Sequence, residues 1–146
     1  MASFVGEHQV RLDEKNRLFL PTRWRSDFTE GLVMTKGQEH CLYVFTAAEF
    51  EQISDQVASA PLTDRNSRIY SRVFHASAFD TKPDRQGRIT VSQQLREYAS
   101  LRHDCTLIGV KDRLEIWDTA SWTAFMAEQE SAFADRDDQG VMPVRN

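Results

Sequence analysis

The chain writes one short phrase twice. Asp13-Glu14-Lys15-Asn16-Arg17-Leu18-Phe19-Leu20-Pro21 is answered 71 positions on by Asp84-Arg85-Gln86-Gly87-Arg88-Ile89-Thr90-Val91-Ser92. Each copy is an aspartate, three turn-like residues, an arginine, then apolar-x-apolar. Trp24-Arg25 follows the first copy at the place where Leu95-Arg96 follows the second. A duplication at fixed spacing constrains architecture more than any local propensity, because both copies must fold alike.

The flanks repeat as well. Leu42, Val44, Phe50 and Ile53 return as Leu114, Ile116, Trp122 and Phe125 at an offset of 72. Each half reads as strand, turn, strand, short helix, hairpin, helix. Strands this short in a unit of about 45 residues bury too little to stand alone. Two units sharing a core about a pseudo-twofold axis solve that problem. The expected division is 6–52 for the first repeat, 53–75 for a helical connector, 76–122 for the second repeat, and 123–146 for a helix end and a mobile polar tail.

Within that frame, Asn16 and Gly87 occupy the same turn slot, and both tolerate left-handed backbone. Pro21 ends one strand and suits a first helical position. Thr22 to Phe28 then reads as a short helix. Leu32 to Thr35 and Cys41 to Phe45 form a hairpin. Thr46 with Glu49 caps the next helix. Leu62 to Phe74 reads as a connecting helix with Ile69, Val73 and Phe74 on its apolar side. Ser92 caps a helix through Tyr98. Thr106 to Val110 and Leu114 to Trp117 form the second hairpin, and Asp118-Thr119 opens a helix whose Trp122, Phe125 and Met126 read as core.

Net charge is −4 over 146 residues, which by itself speaks against a polyanion partner. The distribution says otherwise. Residues 11–25 and 82–102 each carry +3, while 37–81 and 128–146 each carry −3. Positive charge therefore sits on the two copies of the phrase, and the local patch sets the field a ligand meets. The composition, 40% hydrophobic and 27% charged, suits a globular chain. There is no apolar run of membrane-spanning length and no signal-peptide pattern, so a cytoplasmic location is expected. Cys41 and Cys105 form no CxxC and read as buried, reduced thiols.

The doubled Asp-x-x-x-Arg, the run Arg17-Leu18-Phe19-Leu20-Pro21, the phrase Gln94-Leu95-Arg96-Glu97-Tyr98-Ala99 and the ending Arg113-Leu114-Glu115-Ile116-Trp117 closely resemble the MraZ family. These are bacterial transcriptional regulators with two SpoVT-AbrB-type domains. The resemblance runs from about Gly6 to about Phe125 with its motifs in order. It implies an α+β, β-rich fold: tandem swapped-hairpin AbrB-type repeats forming a pseudo-twofold small β-barrel flanked by short helices. It implies a ring of subunits located at the nucleoid, and double-stranded promoter DNA as partner. The DNA would carry short G-rich direct repeats ahead of the division and cell-wall gene cluster, which the family usually represses, its own gene included. The family prefers Gly where this chain has Asn16, and Pro where it has Ser92; neither change removes a charge. No cofactor, metal or small-molecule substrate is implied.

Chemistry supports that assignment of roles. Lys and Arg neutralise phosphates and supply sequence-independent affinity. Arg meets guanine O6 and N7 with two hydrogen bonds. Arg17 and Arg88 are therefore the expected base contacts, and Lys15, Arg85, Arg11, Arg23, Arg25 and Arg96 the expected backbone contacts. Asp13 and Asp84, with Asn16 and Gly87, are expected to set the turns. The plainer reading of Asp13–Arg17 and Asp84–Arg88 is a pair of hairpin salt bridges.

Two other classes of protein fit the sequence less well. An enzyme using His40 beside Cys41, or His103 near Cys105, lacks an oxyanion-forming Gly loop. Adjacent strand residues such as His40 and Cys41 also face opposite ways. His8, His40, His75 and His103 have no metal-ligand spacing, so no enzyme is expected. A ring-forming scaffold, or an AbrB-like partner of another protein, would use the acidic stretches and the row Arg65, Arg68, Arg72.

Overall fold

The computed structural model describes residues 2–135, and in it the two halves of the chain interlock. The first half contributes strands β1 (Phe4–Arg11) and β2 (Arg17–Phe19), helix α1 (Thr22–Arg25), strands β3 (Leu32–Lys36) and β4 (Leu42–Thr46), and helix α2 (Ala47–Ala58). Helix α3 (Arg65–Ala76) leads to the second half. That half holds β5 (Phe79–Thr81), β6 (Arg88–Thr90), α4 (Gln93–Tyr98), β7 (Asp104–Lys111), β8 (Leu114–Asp118) and α5 (Thr119–Ala134). The polar tail expected beyond Asp135 lies outside the described residues.

Six strands form one antiparallel sheet in the order β1-β7-β8-β4-β3-β5, and β2 pairs with β6 in a separate ribbon. Replacing every strand by its counterpart in the other half leaves that order unchanged, read backwards. The outer strands are swapped: β1 lies on β7, and β5 lies on β3. The register locates the local twofold axis, because only on the axis can a residue face its own counterpart. Leu18 faces Ile89 in the ribbon, and Tyr43 faces Glu115 in the sheet.

The small β-barrel that the resemblance implies is not closed among the described residues. Among the described residues no ladder joins β1 to β5, so the sheet stays open. The reason is local. The ribbon strands are three residues each, and each runs directly into a helix start, at Pro21 and at Ser92. Pro21 has no N–H to continue a ladder, so the ribbon is too short to bridge the sheet edges.

The ribbon instead lies over the sheet and closes the core. Leu18, Leu20, Ile89 and Val91 from the ribbon arms meet Leu32, Met34, Leu42, Val44, Leu107, Leu114 and Ile116 from the sheet. Trp24, Phe28 and Leu95 fill the corners, with Phe28 stacked on Phe4 at 5.2 Å. Both halves supply every layer, so neither has a core without the other.

Capping sets the helix starts. Glu49 N–H donates to Thr46 Oγ1 at 3.1 Å, Leu95 N–H to Ser92 Oγ at 3.4 Å, and Ser121 N–H to Asp118 Oδ2 at 3.4 Å. α3 begins at Arg65, later than its periodicity suggested, because Asp64 accepts from Ser67 N–H at 2.9 Å. Its apolar side is also less covered than expected. Phe74 is buried, but Ile69, Tyr70 and Val73 are 40%, 40% and 46% exposed. Trp122 and Phe125 pack on Trp117 at 5.1 and 5.0 Å, yet they stay half-buried at the core's edge.

Candidate nucleic-acid interface

The two turns are superposable hydrogen bond by hydrogen bond. Asp13 N–H donates to Arg17 O at 2.8 Å, and Asn16 N–H to Asp13 O at 2.9 Å. In the second turn Asp84 N–H donates to Arg88 O and Gly87 N–H to Asp84 O, both at 2.9 Å. The aspartate then folds back over its own turn. Asp13 Oδ1 accepts from Lys15 N–H at 2.8 Å and Arg17 N–H at 2.9 Å. Asp84 Oδ1 accepts from Gln86 N–H and Arg88 N–H, both at 2.9 Å. Asn16 sits at φ 61° and Gly87 at φ 83°, the left-handed conformation this turn requires.

The second carboxylate oxygen holds the arginine. Arg17 Nε donates to Asp13 Oδ2 at 2.9 Å, and Arg88 Nε to Asp84 Oδ2 at 2.7 Å. Among the described residues the Nη groups of both arginines have no hydrogen-bond partner. Each guanidinium is thus oriented through Nε, its Nη groups without a partner among the described residues and its side chain about a quarter exposed, 24% for Arg17 and 25% for Arg88. Backbone donation from Arg17 and Arg88 is the foremost cause holding the Asp13 and Asp84 carboxyls below the usual carboxylate range, so both turns are ionised at neutral pH.

The ribbon sets these arginines on one surface. Successive strand residues alternate faces, so buried Leu18 and Ile89 leave Arg17, Phe19, Arg88 and Thr90 together on the outer face. Phe19 pairs across the ladder with Arg88, and Arg17 with Thr90. Strand rise and spacing place the two arginine Cα atoms roughly 8 Å apart. The turns themselves lie at opposite ends of the ribbon.

The remaining basic residues fall into three groups. Lys15 and Arg85 are exposed at the turn tips, with no side-chain partner among the described residues. Arg11 is exposed but ion-paired to Asp104 at 3.1 Å. Arg23 is exposed, donates to Val5 O and lies over Trp24, 5.0 Å from the ring centre. Arg25 and Arg96 are half-buried clamps, not free cations. Arg25 Nη2 donates to Leu20 O at 2.9 Å, and Arg96 Nη1 to the equivalent Val91 O at 2.5 Å. They satisfy the strand-end carbonyls that the helix start leaves open.

Phe19 and Thr90 were not singled out by the sequence reading, although the signal was there. Phe19 stands between buried Leu18 and Leu20, and alternation alone sends it outward.

The thiols are unsuited to nucleophilic work. Burial pushes the Cys105 thiol up to about 12 and raises Cys41 further, the opposite of an activated thiolate. Cys41 Sγ is occupied by Gln38 O at 3.3 Å. Among the described residues, no group of three or more His, Cys, Asp or Glu could hold a metal ion, and no helix is long and apolar enough to cross a membrane.

Fold and site together define a tandem-repeat α+β protein with swapped outer strands and two equivalent arginine-bearing turns on one exposed ribbon. Comparison with known proteins places that class. The model of the MraZ family, described as "MraZ protein, putative antitoxin-like", matches twice, over residues 3–73 and 74–142. The chain is 52% identical over 140 residues to a Micrococcus luteus protein named Transcriptional regulator MraZ, covering 96% of this chain and 97% of that one. A Thermobifida fusca protein of the same name is 54% identical over 132 residues, covering 90% and 92%. One from Salinispora arenicola is 51% identical over 140 residues, covering 96% and 98%. The chain belongs to the MraZ family.

Proposed function

We propose that this protein is a sequence-specific DNA-binding transcriptional regulator. It represses the division and cell-wall gene cluster, including its own promoter, by binding short G-rich direct repeats. The observation that carries this reading is the pair Arg17 and Arg88. Each is oriented by an aspartate through Nε, keeps Nη groups that have no partner among the described residues, and lies part-exposed on the same ribbon face as the other. A two-stranded ribbon fits the major groove, and an Arg bidentate to guanine is worth about 1–3 kcal/mol of discrimination.

Lys15 and Arg85, unpaired among the described residues and at the ribbon's two ends, take phosphates and set register. Arg11 and Arg23 sit nearby as secondary phosphate contacts. Arg25 and Arg96 act indirectly, by holding the strand ends beneath the site. The resident compartment is the cytoplasm, at the nucleoid.

One chain offers few contacts, and a homo-oligomeric ring repeats them along a promoter with several sites, raising the effective concentration of each later contact. Supporting self-association is an open groove lined by Lys36, Asn66, Ile69, Tyr70, Val73 and Tyr98, apolar enough to bury against another copy.

The test is a salt titration of binding to the DNA upstream of the protein's own gene. Log affinity falls linearly with log salt, with a slope of about −0.9 for each phosphate contact. Shortening the DNA from several repeats to one collapses the affinity. A flat salt dependence, or equal affinity for unrelated DNA, overturns the reading.

A further inference from the structure

We infer that Phe19 is a base-reading residue: it packs on a thymine methyl group beside the guanine held by Arg88. It thereby makes the two halves of the ribbon read different sequences. This rests on the regulator reading above and adds a second contact to it.

Three observations converge. Phe19 is 52% exposed on the ribbon's outer face, at the end of β2, while its neighbours Leu18 and Leu20 are 1% and 0% exposed. It makes no aromatic pair among the described residues. It faces Arg88 directly across the β2–β6 ladder. A phenyl ring on a face it shares with two arginines and a threonine gains free energy when an apolar group of a partner covers it. The partner must tolerate the two arginines on the same face. DNA answers that charge, and the thymine C5-methyl is the apolar feature of the major groove, for which Phe is a suitable contact.

The twofold sharpens the point. The position equivalent to Phe19 is Thr90, and Thr90 faces Arg17 as Phe19 faces Arg88. Arg17 and Arg88 are matched in every hydrogen bond, so the arginines demand the same base in both halves. Their cross-strand neighbours do not match. Phe19 has only an apolar surface to offer. Thr90 offers a small methyl and a hydroxyl that can donate or accept. A symmetric backbone therefore carries an asymmetric reading head, with a thymine specified on the Arg88 side and a weaker, more permissive choice on the Arg17 side. That suits direct repeats, which have a polarity, better than palindromes.

The experiment replaces each thymine of the upstream site, one at a time, by deoxyuridine, which removes only the C5-methyl. Wild-type protein is expected to lose about fourfold in affinity at one thymine position per repeat, the factor for one buried methyl group. Phe19→Thr, which makes the halves alike, loses that sensitivity while keeping its salt dependence and its preference for guanine. Guanine-dependent, salt-dependent binding with no deoxyuridine effect at any position overturns the inference and leaves the regulator reading standing. So does an unchanged deoxyuridine effect in Phe19→Thr. A change in assembly size in Phe19→Thr, with base preference intact, assigns the ring to a subunit contact and overturns it as well.

Discussion

Arg25 of the first repeat closes over Gly87 in the turn of the second. A β-carbon added at Gly87 would lie 2.1 Å from Arg25 Nε, against a φ of +83° that L-residues rarely adopt. The clamp of one repeat thus rests on the turn of the other. Gly87→Ala is expected to cost about 1–2 kcal/mol in backbone strain alone, and more as Arg25 is displaced from Leu20 O. Asn16 stands in the equivalent slot with a side chain already present, so Asn16→Gly is expected to be neutral or to stabilise by less than about 1 kcal/mol. Denaturant melts of the two variants check this; equal destabilisation by both would show that the turns do not differ in this way.

The axis pair makes a second prediction. Leu18 and Ile89 are each 1% exposed and face one another beneath the arginine surface. Leu18→Ala and Ile89→Ala are each expected to destabilise by about 2–5 kcal/mol. Because both repeats build one core, each variant should unfold the whole chain in a single transition. A two-step melt, with one half surviving, would contradict the shared core.

Arg17 and Arg88 separate charge from geometry. Lysine keeps the charge but lacks the planar fork, so Arg17→Lys should retain non-specific binding and lose about 1–3 kcal/mol of discrimination for guanine. Arg17→Ala should lose the discrimination while subunit assembly is unchanged. Competition binding against a mutated site, with the assembly followed by light scattering, reads both. Lys15→Ala and Arg85→Ala should instead reduce the salt slope by about 0.9 each and leave sequence preference alone.

The turns also have a pH signature. Asp13 and Asp84 titrate below the usual carboxylate range, foremost because of the backbone N–H of Arg17 and Arg88. A depressed carboxyl contributes its stabilisation above the unfolded pKa and loses it as pH falls through the folded one. Turn geometry should therefore hold through the neutral and mildly acidic range and fail only as pH falls below the ordinary carboxylate range of about 4, where these carboxyls protonate. Carboxyl carbon shifts measured by NMR across that range check the assignment; titration of either group above pH 4 would contradict it.

The thiols behave in the opposite sense. Cys105 is pushed up to about 12 by burial, and Cys41 is raised as well. A group whose folded pKa is raised stabilises fully below its unfolded pKa, about 8.5, and loses that contribution as pH rises further. Both thiols should be silent to a thiol reagent at pH 8 in the native protein and react at once in denaturant. Native-state labelling faster than global unfolding would place one of them outside the core.

How much of this was legible follows from the range of the forces involved. The turn is local: Asp13, Asn16 and Arg17 act on one another within five residues, so the sequence alone determined its shape, its duplication and the concentration of cations around it. Capping by Thr46, Ser92 and Asp118 is equally local, and so is the alternation that turns Phe19 outward. What lies between segments could not be read that way. Which strand β1 pairs with, the swap of outer strands and the failure of the sheet to close depend on contacts between residues far apart in the chain, Met34 with Phe79 at the nearest and Phe4 with Lys111 at the farthest, for which pattern carries no register. The same holds for the cations: charge is visible in a sequence, but whether an arginine is free, as Arg85 is among the described residues, or spent on a carbonyl, as Arg25 and Arg96 are, is decided only when the second repeat folds against the first.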